Sequence, residues 1–288
     1  MQPAFQKIEA NINYSFYIEH EKFPFFPNPL HFHPEIEILY IIHGTGTLFI
    51  GDSVTRFCPG DLVIIGENIP HIWYSDEKYK DGNHNLYTEV IYILFKTDIF
   101  GEQFWQLSES KIIYKLLQLS KRGIRVTGKN RTEVSLLMKS ISKSNGVNRL
   151  ILLLSILEKI TTQKEYKFLT SPNVQNTINA YDSDRLNKVY DFMMNNFHQD
   201  ITLDQVASLA SLSIPSFCRY FKKRTNKTFI KLLTEIRISH ACRLLTEEDS
   251  SVTTICYICG FTNVSYFIRQ FKDVTGLTPL SYKRNYTL

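Results

Sequence analysis

No stretch of this sequence approaches the roughly 18 uninterrupted apolar residues of a membrane-spanning helix, so no membrane partner is expected. The opening residues, MQPAFQKIEANINYSF, lack a basic segment followed by an apolar run, and secretion is not expected either. Cysteine is scarce and poorly arranged for disulfides. There are five, an odd number, and four of them (Cys218, Cys242, Cys256 and Cys259) fall in the last third, with Cys58 alone upstream. That distribution points to a reducing, cytoplasmic setting. CYIC, Cys256 to Cys259, has no second cysteine pair to complete a zinc site, and its spacing lies inside a helical pattern where Cys256 takes a small core position. A glycine-rich phosphate loop is also missing, and no catalytic triad can be assembled from the sequence. The expectation is a protein that is not an enzyme.

What is present is unevenly distributed. The 288 residues, 43% of them hydrophobic, suffice for two domains. Of the net charge of +5, residues 185–288 carry 14 Lys and Arg against 8 Asp and Glu, leaving the remainder at −1. A basic domain joined to a neutral one suggests a polyanion partner for the first; a merely solvated basic surface is the alternative.

From Leu30 to Phe95, β-branched and aromatic runs such as IEILYII, GTLFI, DLVII and EVIYILF alternate with HGTG, GD, PGD and GENIP, which reads as a compact antiparallel β-domain. Beyond Gly101 the period changes, and KIIYKLLQLSK, EVSLLMKSI and NRLILLLSILEKI read as helices. In the last of these, Val147, Leu150, Leu154 and Leu157 form a stripe widened by Ile151, Leu153 and Ile156. It suits either packing on the β-domain or a dimer seam. The polar segment TSPNVQNTINAYDSD, 170–184, has the composition of a linker.

The last third contains a repeat. Thr202-x-x-Gln205 is a capping box opening a short helix, followed by the turn SLS and IPSFCRYFKK, with Ser213 as N-cap and Pro215 in the first turn. Leu203, Val206, Ala207, Leu209 and Leu212 match Val252, Ile255, Cys256, Ile258 and Phe261 at an offset of 49. After the turn, Phe217, Arg219, Phe221 and Lys222 match Phe267, Arg269, Phe271 and Lys272 at an offset of 50, so one residue is inserted in the second turn. Asn226 and Gly276 end the two helices, and Thr228 to Glu247 reads as one long helix between the copies. Two helix-turn-helix units on a rigid spacer suit successive major grooves of double-stranded DNA, about 34 Å apart. The candidate DNA-binding residues are Ser213, Pro215, Ser216, Cys218, Arg219, Lys222 and Lys223 in the first unit, and Thr262, Asn263, Val264, Ser265, Ile268 and Arg269 in the second. Arg219 and Arg269 suit guanine, whereas Lys222, Lys223 and Lys272 suit phosphate; a phosphate contact or an internal ion pair is the alternative for either Arg.

The run IRISHACRLLTEEDSSVTTICYICGFTNVSYFIRQFKDVTGLTPLSYKR resembles the signature of the AraC/XylS family of bacterial transcription regulators, through Arg237, Ala241, Leu244-Leu245, Ile255, Gly260-Phe261, Ser265-Tyr266-Phe267, Arg269, Phe271-Lys272, Gly276, Thr278-Pro279 and Tyr282-Lys283. It departs from the family pattern at Asn263, Cys256, Asn226 and Lys283, where Asp, Ala, Gly and Arg are usual. The resemblance spans 185–285 and implies a seven-helix DNA-binding domain.

In HFHPEIE, the side chains of His31, His33, Glu35 and Glu37 share one parity, although Pro34 can break the register. With His71, this set resembles the metal-binding pattern of the cupin superfamily, and Pro59-Gly60-Asp61 with Pro70-His71 resembles its second motif. Three uses compete: a transition-metal site, a hydrogen-bonding site for a hydroxylated ligand, and a structural barrel rim. The second is the expectation. It makes His31, His33, Glu37, Tyr40, His71 and Trp73 ligand-binding residues and assigns no cofactor or metal.

The expected fold class is therefore α+β: an N-terminal cupin-like antiparallel β-barrel with following helices, then an all-α DNA-binding domain. Residues 1–169 are expected to sense a ligand and dimerise, 170–184 to link, and 185–288 to read DNA. Expected partners are double-stranded DNA, a small-molecule effector of carbohydrate type, a second copy of the chain, and RNA polymerase as a further candidate. The effector would shift the dimer helices or the linker. A metal-dependent cupin enzyme with an appended DNA-binding module and a ligand-independent DNA binder are the alternatives.

Overall fold

The β-branched and aromatic runs do form strands, and all pair antiparallel. The computed structural model describes residues 15–80, 85–163, 165–172, 180–247 and 249–286. The first unit contains β1 (Tyr17–Phe23), β2 (Ile36–His43), β3 (Gly46–Ile50), β4 (Ser53–Phe57), β5 (Leu62–Ile65), β6 (His71–Ser75) and β7 (Thr88–Phe95). The helices α1 (Glu102–Gln106) and α2 (Lys111–Leu119) follow, then β8 (Ile124–Val126), α3 (Asn130–Ile141), α4 (Val147–Gln163) and β9 (Tyr166–Phe168). A six-stranded sheet in the order β1-β7-β2-β5-β8-β9 faces a three-stranded sheet in the order β4-β3-β6.

The period-two alternation of β2 separates two cores. Ile36, Ile38 and Tyr40 lie with Ile91, Ile93 and Phe95 in the cluster that receives Leu116, Met138, Leu153 and Ile156 from the helices. Leu39 and Ile41 face the other way, joining Leu48, Phe57 and Trp73 in the barrel interior. The α4 stripe is rotated from its sequence expectation. Leu153, Ile156, Leu157 and Ile160 are fully buried, whereas Val147 is 71% and Ile151 55% exposed. The helix is apolar on most of its circumference, so packing rather than periodicity selects the inward face.

The chain divides into two compact units, Met1–Ala180 and Tyr181–Leu288. The segment expected as a linker begins inside the first. The Thr170 N–H donates to the Arg122 carbonyl at 2.9 Å, and the Ser171 N–H and hydroxyl donate to the Asp52 carboxylate at 3.1 and 2.6 Å. Residues 173–179 of the linker lie outside the described residues, and its last five residues already belong to α5 (Ala180–Asn196).

The second unit continues with α6 (Leu203–Leu209), α7 (Ile214–Thr225), α8 (Phe229–Glu247), α9 (Val252–Ile258), α10 (Val264–Thr275) and α11 (Pro279–Tyr286). The capping box forms: the Thr202 N–H donates to Gln205 Oε1 at 2.9 Å, and the Gln205 N–H to the Thr202 hydroxyl at 3.3 Å. The long α8 buries Phe229, Leu232, Leu233, Ile236, Leu244 and Leu245 and packs against α7, α9, α10 and α11.

The repeat is a repeat of hydrogen bonds as well as of residue types. The Leu212 N–H donates to the Ala207 carbonyl at 2.9 Å, and the Phe261 N–H to the Cys256 carbonyl at 3.1 Å. Before each lies a left-handed residue, Ser211 with φ 54° and Gly260 with φ 79°. The offset of 49 therefore persists through the turn itself, and Thr262 is the inserted residue, placed between Phe261 and the N-cap Asn263. Asn226 (φ 57°) and Gly276 (φ 77°) end α7 and α10 in the left-handed conformation. One expected cap differs. Ser213 holds the N-cap position of α7, but its hydroxyl donates sideways to Ser216 Oγ at 3.0 Å and leaves the helix N–H groups uncapped.

Candidate functional site

His31, His33, Glu37 and His71 converge. One ligating atom from each, an imidazole nitrogen or a carboxylate oxygen, lies within 4.8 Å of the others, and all four residues are buried. His31 and His71 are brought together by a two-residue antiparallel bridge, in which each backbone N–H donates to the other's carbonyl, at 3.1 and 2.9 Å. The chain bends at Pro34-Glu35, so β2 starts only at Ile36, and Glu37 enters the cluster from its second position. Glu35 turns aside: its carboxylate sits 3.7 Å from Lys96 Nζ and its carbonyl accepts the His33 Nδ1–H at 3.0 Å.

Each imidazole places Nδ1 against a backbone carbonyl, that of Pro29 for His31 (2.8 Å), Glu35 for His33 (3.0 Å) and Ile69 for His71 (2.8 Å). This orients the three Nε2 atoms inward, as a second partner does for ligating imidazoles. Nε2 of His33 and of His71 both face the same oxygen, Glu37 Oε2, at 3.2 and 3.1 Å. Burial, and after it His71, holds His31 down at about 3, so this ring is neutral. Burial opposes charge on His33 too, but Glu37 outweighs it and raises the His33 pKa. For Glu37 the desolvation penalty is overcome by His71 and His33, which hold the carboxyl well below the usual range. The donor set, three imidazole nitrogens and one carboxylate oxygen with fixed tautomers, fits a divalent first-row transition ion. Such an ion would occupy the place that protons take between these groups and would add a Lewis-acidic anchor for oxygen ligands.

His31, His33 and Glu37 line one end of a cavity of about 290 Å³. Trp73 lines it as well, with Phe26 stacked at 5.5 Å between ring centroids and 23° between planes. Tyr40, expected as a ligand contact, does not line it. It stands three residues from Glu37 on β2, which puts it on the opposite face of the strand among the residues that meet the helices. His71 reaches the cluster without lining the cavity. The sequence reading missed Tyr17, Glu21, Phe23, Asn28 and Tyr92, which also line it, with the Tyr92 hydroxyl donating to Glu21 at 3.2 Å. Tyr17, Glu21 and Phe23 share one parity on β1, and that alternation is the signal that was available.

On the second unit, Phe217, Phe221 and Phe229 form one aromatic triangle, with centroids 5.4 to 5.8 Å apart. Phe261, Phe267, Phe271 and Tyr282 form a corresponding chain of rings at 5.1, 5.7 and 5.5 Å. These fix which faces of α7 and α10 turn outward. Ser213, Pro215, Cys218, Arg219, Lys222 and Lys223 are exposed, as are Thr262, Asn263, Ser265, Ile268 and Arg269. Ser216 is half-buried and accepts the Ser213 hydroxyl. Val264 differs from expectation: it is half-buried and packed on the core with Ile255, Phe261 and Phe267, so its side chain is scaffold. Asn263 caps α10 by accepting the Tyr266 N–H at 2.8 Å, and the Arg269 guanidinium lies 5.4 Å from the Tyr266 ring centroid. Cys256 and Cys259 are buried and burial pushes both thiols up, Cys259 to about 12, consistent with core positions.

Residues 206–285 match the helix-turn-helix domain family, and residues 26–78 match the cupin domain family. The chain is similar to an uncharacterised HTH-type transcriptional regulator, YdeC of Bacillus subtilis, at 26% identity over 263 residues, 89% of this chain and 86% of that protein. It is also similar to the HTH-type transcriptional activator RhaR of Mannheimia succiniciproducens, at 24% identity over 262 residues, 90% of this chain and 88% of that protein. Among solved structures, the DNA-binding domain of the transcriptional factor AdpA in complex with a target DNA matches at 25% identity, covering 35% of this chain and 91% of that one, with a TM-score of 0.34. No helix among the described residues is long and apolar enough to cross a membrane. With a cupin domain, two helix-turn-helix units on a shared central helix, and relatives along most of its length that are HTH-type regulators, the chain has the domain make-up of an AraC-type transcription regulator.

Proposed function

We propose that this regulator is switched by a small molecule held inside the barrel, and that the barrel carries out no catalysis. The observation that carries the reading is the cavity of about 290 Å³, walled by aromatic rings and closed at one end by the convergent His31, His33 and Glu37. A pre-formed cavity in which aromatic walls meet a few convergent polar groups is a usual form of a small-molecule site. Its volume suits a monosaccharide or a metabolite of similar size, and aromatic faces beside carboxylates suit hydroxylated compounds. The protein acts in the cytoplasm as a homodimer, with Arg219 and Arg269 reading bases and Lys222, Lys223 and Lys272 holding phosphates. The effector controls transcription by binding two arrangements of the regulator unequally, since a ligand indifferent to the two shifts nothing.

Thermal melting of the full chain against sugars, hydroxy acids and the small-molecule fraction of a cell extract tests the sensor. A ligand at 100 times its Kd stabilises the state it binds by about 2.7 kcal/mol, an easily measured rise in Tm. A response to one compound class, accompanied by a change in DNA affinity, supports the reading. A flat response across the whole panel overturns it.

A further inference from the structure

The two carboxylates that line the cavity differ in how they are partnered. Glu37 is matched: Nε2 of His33 and of His71 lie 3.2 and 3.1 Å from its Oε2. Glu21 is not. It is half-buried on β1, its one hydrogen bond among the described residues comes from the Tyr92 hydroxyl at 3.2 Å, and no ion pair among them reaches it. On the sheet, Glu21 pairs with Val90 and Glu37 with Leu94, four residues farther along β7, so their backbone positions stand about 13 Å apart along the strands. The histidines that hold Glu37 therefore do nothing for Glu21.

The wall around Glu21 adds to its field rather than cancelling it. No Lys or Arg is among the residues that line the cavity, and Glu19 shares the parity of Glu21 on β1. Burial, and after it Glu21, push the Tyr92 phenol far up, and burial with Glu19 raises Tyr17 to about 12, so both rings stay neutral. An anion finds no Lys or Arg to pair with. A neutral compound can offer Glu21 a hydroxyl, but it displaces water and leaves the charge uncompensated. An organic cation pairs with the carboxylate and also lies among aromatic rings, which attract it most when water is excluded. Tyr17 and Tyr92 have centroids 6.0 Å apart, and Phe23, Phe26 and Trp73 continue the wall at 5.7 and 5.5 Å. Trp73 adds a second requirement. It is 5% exposed, and its buried indole N–H has no hydrogen-bond partner among the described residues. A buried donor left unpaired costs free energy that an acceptor on the ligand recovers.

Resting on the reading of the barrel as a sensor, we propose that the effector is a small organic ammonium compound, a protonated amine or a quaternary ammonium, that also carries an oxygen acceptor. Glu21 holds the cationic group among the rings of Tyr17, Phe23 and Tyr92, and the acceptor takes the indole N–H of Trp73. The volume of about 290 Å³ admits an amino alcohol or an amino sugar. Charge then selects the effector from neutral compounds of the same size and hydroxyl pattern.

Thermal melts of the full chain test this, with EDTA present so that metal ions contribute nothing. The small-molecule fraction of a cell extract is divided at neutral pH on a cation exchanger into retained and unretained parts. Choline and glucosamine are tested beside them, with their uncharged counterparts 3,3-dimethylbutan-1-ol and glucose and the anion gluconate. The retained part and at least one of the two ammonium compounds are expected to raise Tm, with the uncharged counterpart binding at least tenfold more weakly in calorimetric titration. Which of the two responds separates a quaternary ammonium from a protonated amine. Glu21→Gln should weaken the response at least tenfold and Glu21→Lys should abolish it; far-UV circular dichroism identifies a variant that fails to fold, and the other then decides. A rise in Tm confined to the unretained part, glucose or gluconate, or one that the folded variants keep, overturns the ammonium proposal and leaves the barrel as a sensor of another compound class. No response to the retained part or to either ammonium compound overturns it as well, and no response to anything overturns the sensor reading with it.

Discussion

The two helix-turn-helix units are built on the same internal bonds and differ where they face outward. In both, a buried aromatic pair one turn apart, Phe217 and Phe221 or Phe267 and Phe271, anchors the second helix. Each second helix ends on a threonine whose hydroxyl donates back four residues and accepts the N–H two residues on: Thr225 to Phe221 and from Lys227, Thr275 to Phe271 and from Leu277. The outward chemistry diverges. The last turn of α7 carries Lys222, Lys223 and Arg224, whereas that of α10 carries Lys272 alone, behind Ser265, Ile268 and Arg269. The scaffold is duplicated because its packing problem is the same twice; the surfaces answer to different stretches of a partner.

If the cores are equivalent, Phe217→Ala and Phe267→Ala should cost the same. Each is expected to lose about 3–5 kcal/mol by chemical denaturation, the usual toll of emptying a buried aromatic site. A difference of several kcal/mol between the two would show that one unit carries the domain and the other merely docks on it.

The turns should be less alike. Gly260 has φ 79°, and a Cβ there would come within 2.7 Å of the Phe197 carbonyl oxygen and 2.8 Å of that of His198. Gly260→Ala therefore adds a clash with the end of α5 to a backbone strain of about 1–3 kcal/mol. Ser211 already occupies the equivalent turn with a side chain, so Ser211→Gly should shift stability by less than about 1 kcal/mol. Equal effects at the two turns would remove the packing of Gly260 on α5 as the reason for glycine.

On DNA, Arg269→Ala and Arg219→Ala should each relax preference at one base position and cost about 1–3 kcal/mol, measured by fluorescence anisotropy against a randomised-site panel. Lys222→Ala should weaken binding to all sequences alike and lower the salt slope by about one. Unchanged preference in Arg269→Ala would remove α10 from the reading face.

The smallest effect separates the helix caps. Asn263 accepts the Tyr266 N–H, so Asn263→Ala is expected to cost about 1 kcal/mol of thermal stability. The Ser213 hydroxyl makes no cap bond, and Ser213→Ala should cost no more than about 0.5 kcal/mol.

Much of this was legible because it depends on local periodicity. The strands β2, β3, β5 and β7, the paired helices of the two repeat units, the capping box at Thr202 and the left-handed ends at Asn226 and Gly276 follow from residue type and spacing within a few positions. The convergence of His31, His33 and Glu37 was legible only in part, since parity placed Glu35 with them and the bend at Pro34-Glu35 turns that side chain toward Lys96. Elements held by their neighbours were not. β8 and β9 are three residues each and exist because Ile124 to Val126 pair with Leu62 to Ile64 and with Tyr166 to Phe168. β1, with His20 and two glutamates among its residues, reads as a polar segment until β7 pairs with it, and the cavity wall containing Glu21 went unseen with it. Tyr40 was misassigned by a slip of parity that the sequence alone could have corrected.

The sequence by itself determined the order of most elements and the duplicated reading unit, because hydrophobic period, caps and turn residues act over distances shorter than a single element. Tertiary structure alone decided which face of the nearly all-apolar α4 turns inward, that Val264 is scaffold, and that every Nδ1 of the three histidines is taken by a backbone carbonyl. Those outcomes depend on which remote backbone comes to lie within 3 or 4 Å of a side chain, and no local pattern encodes that.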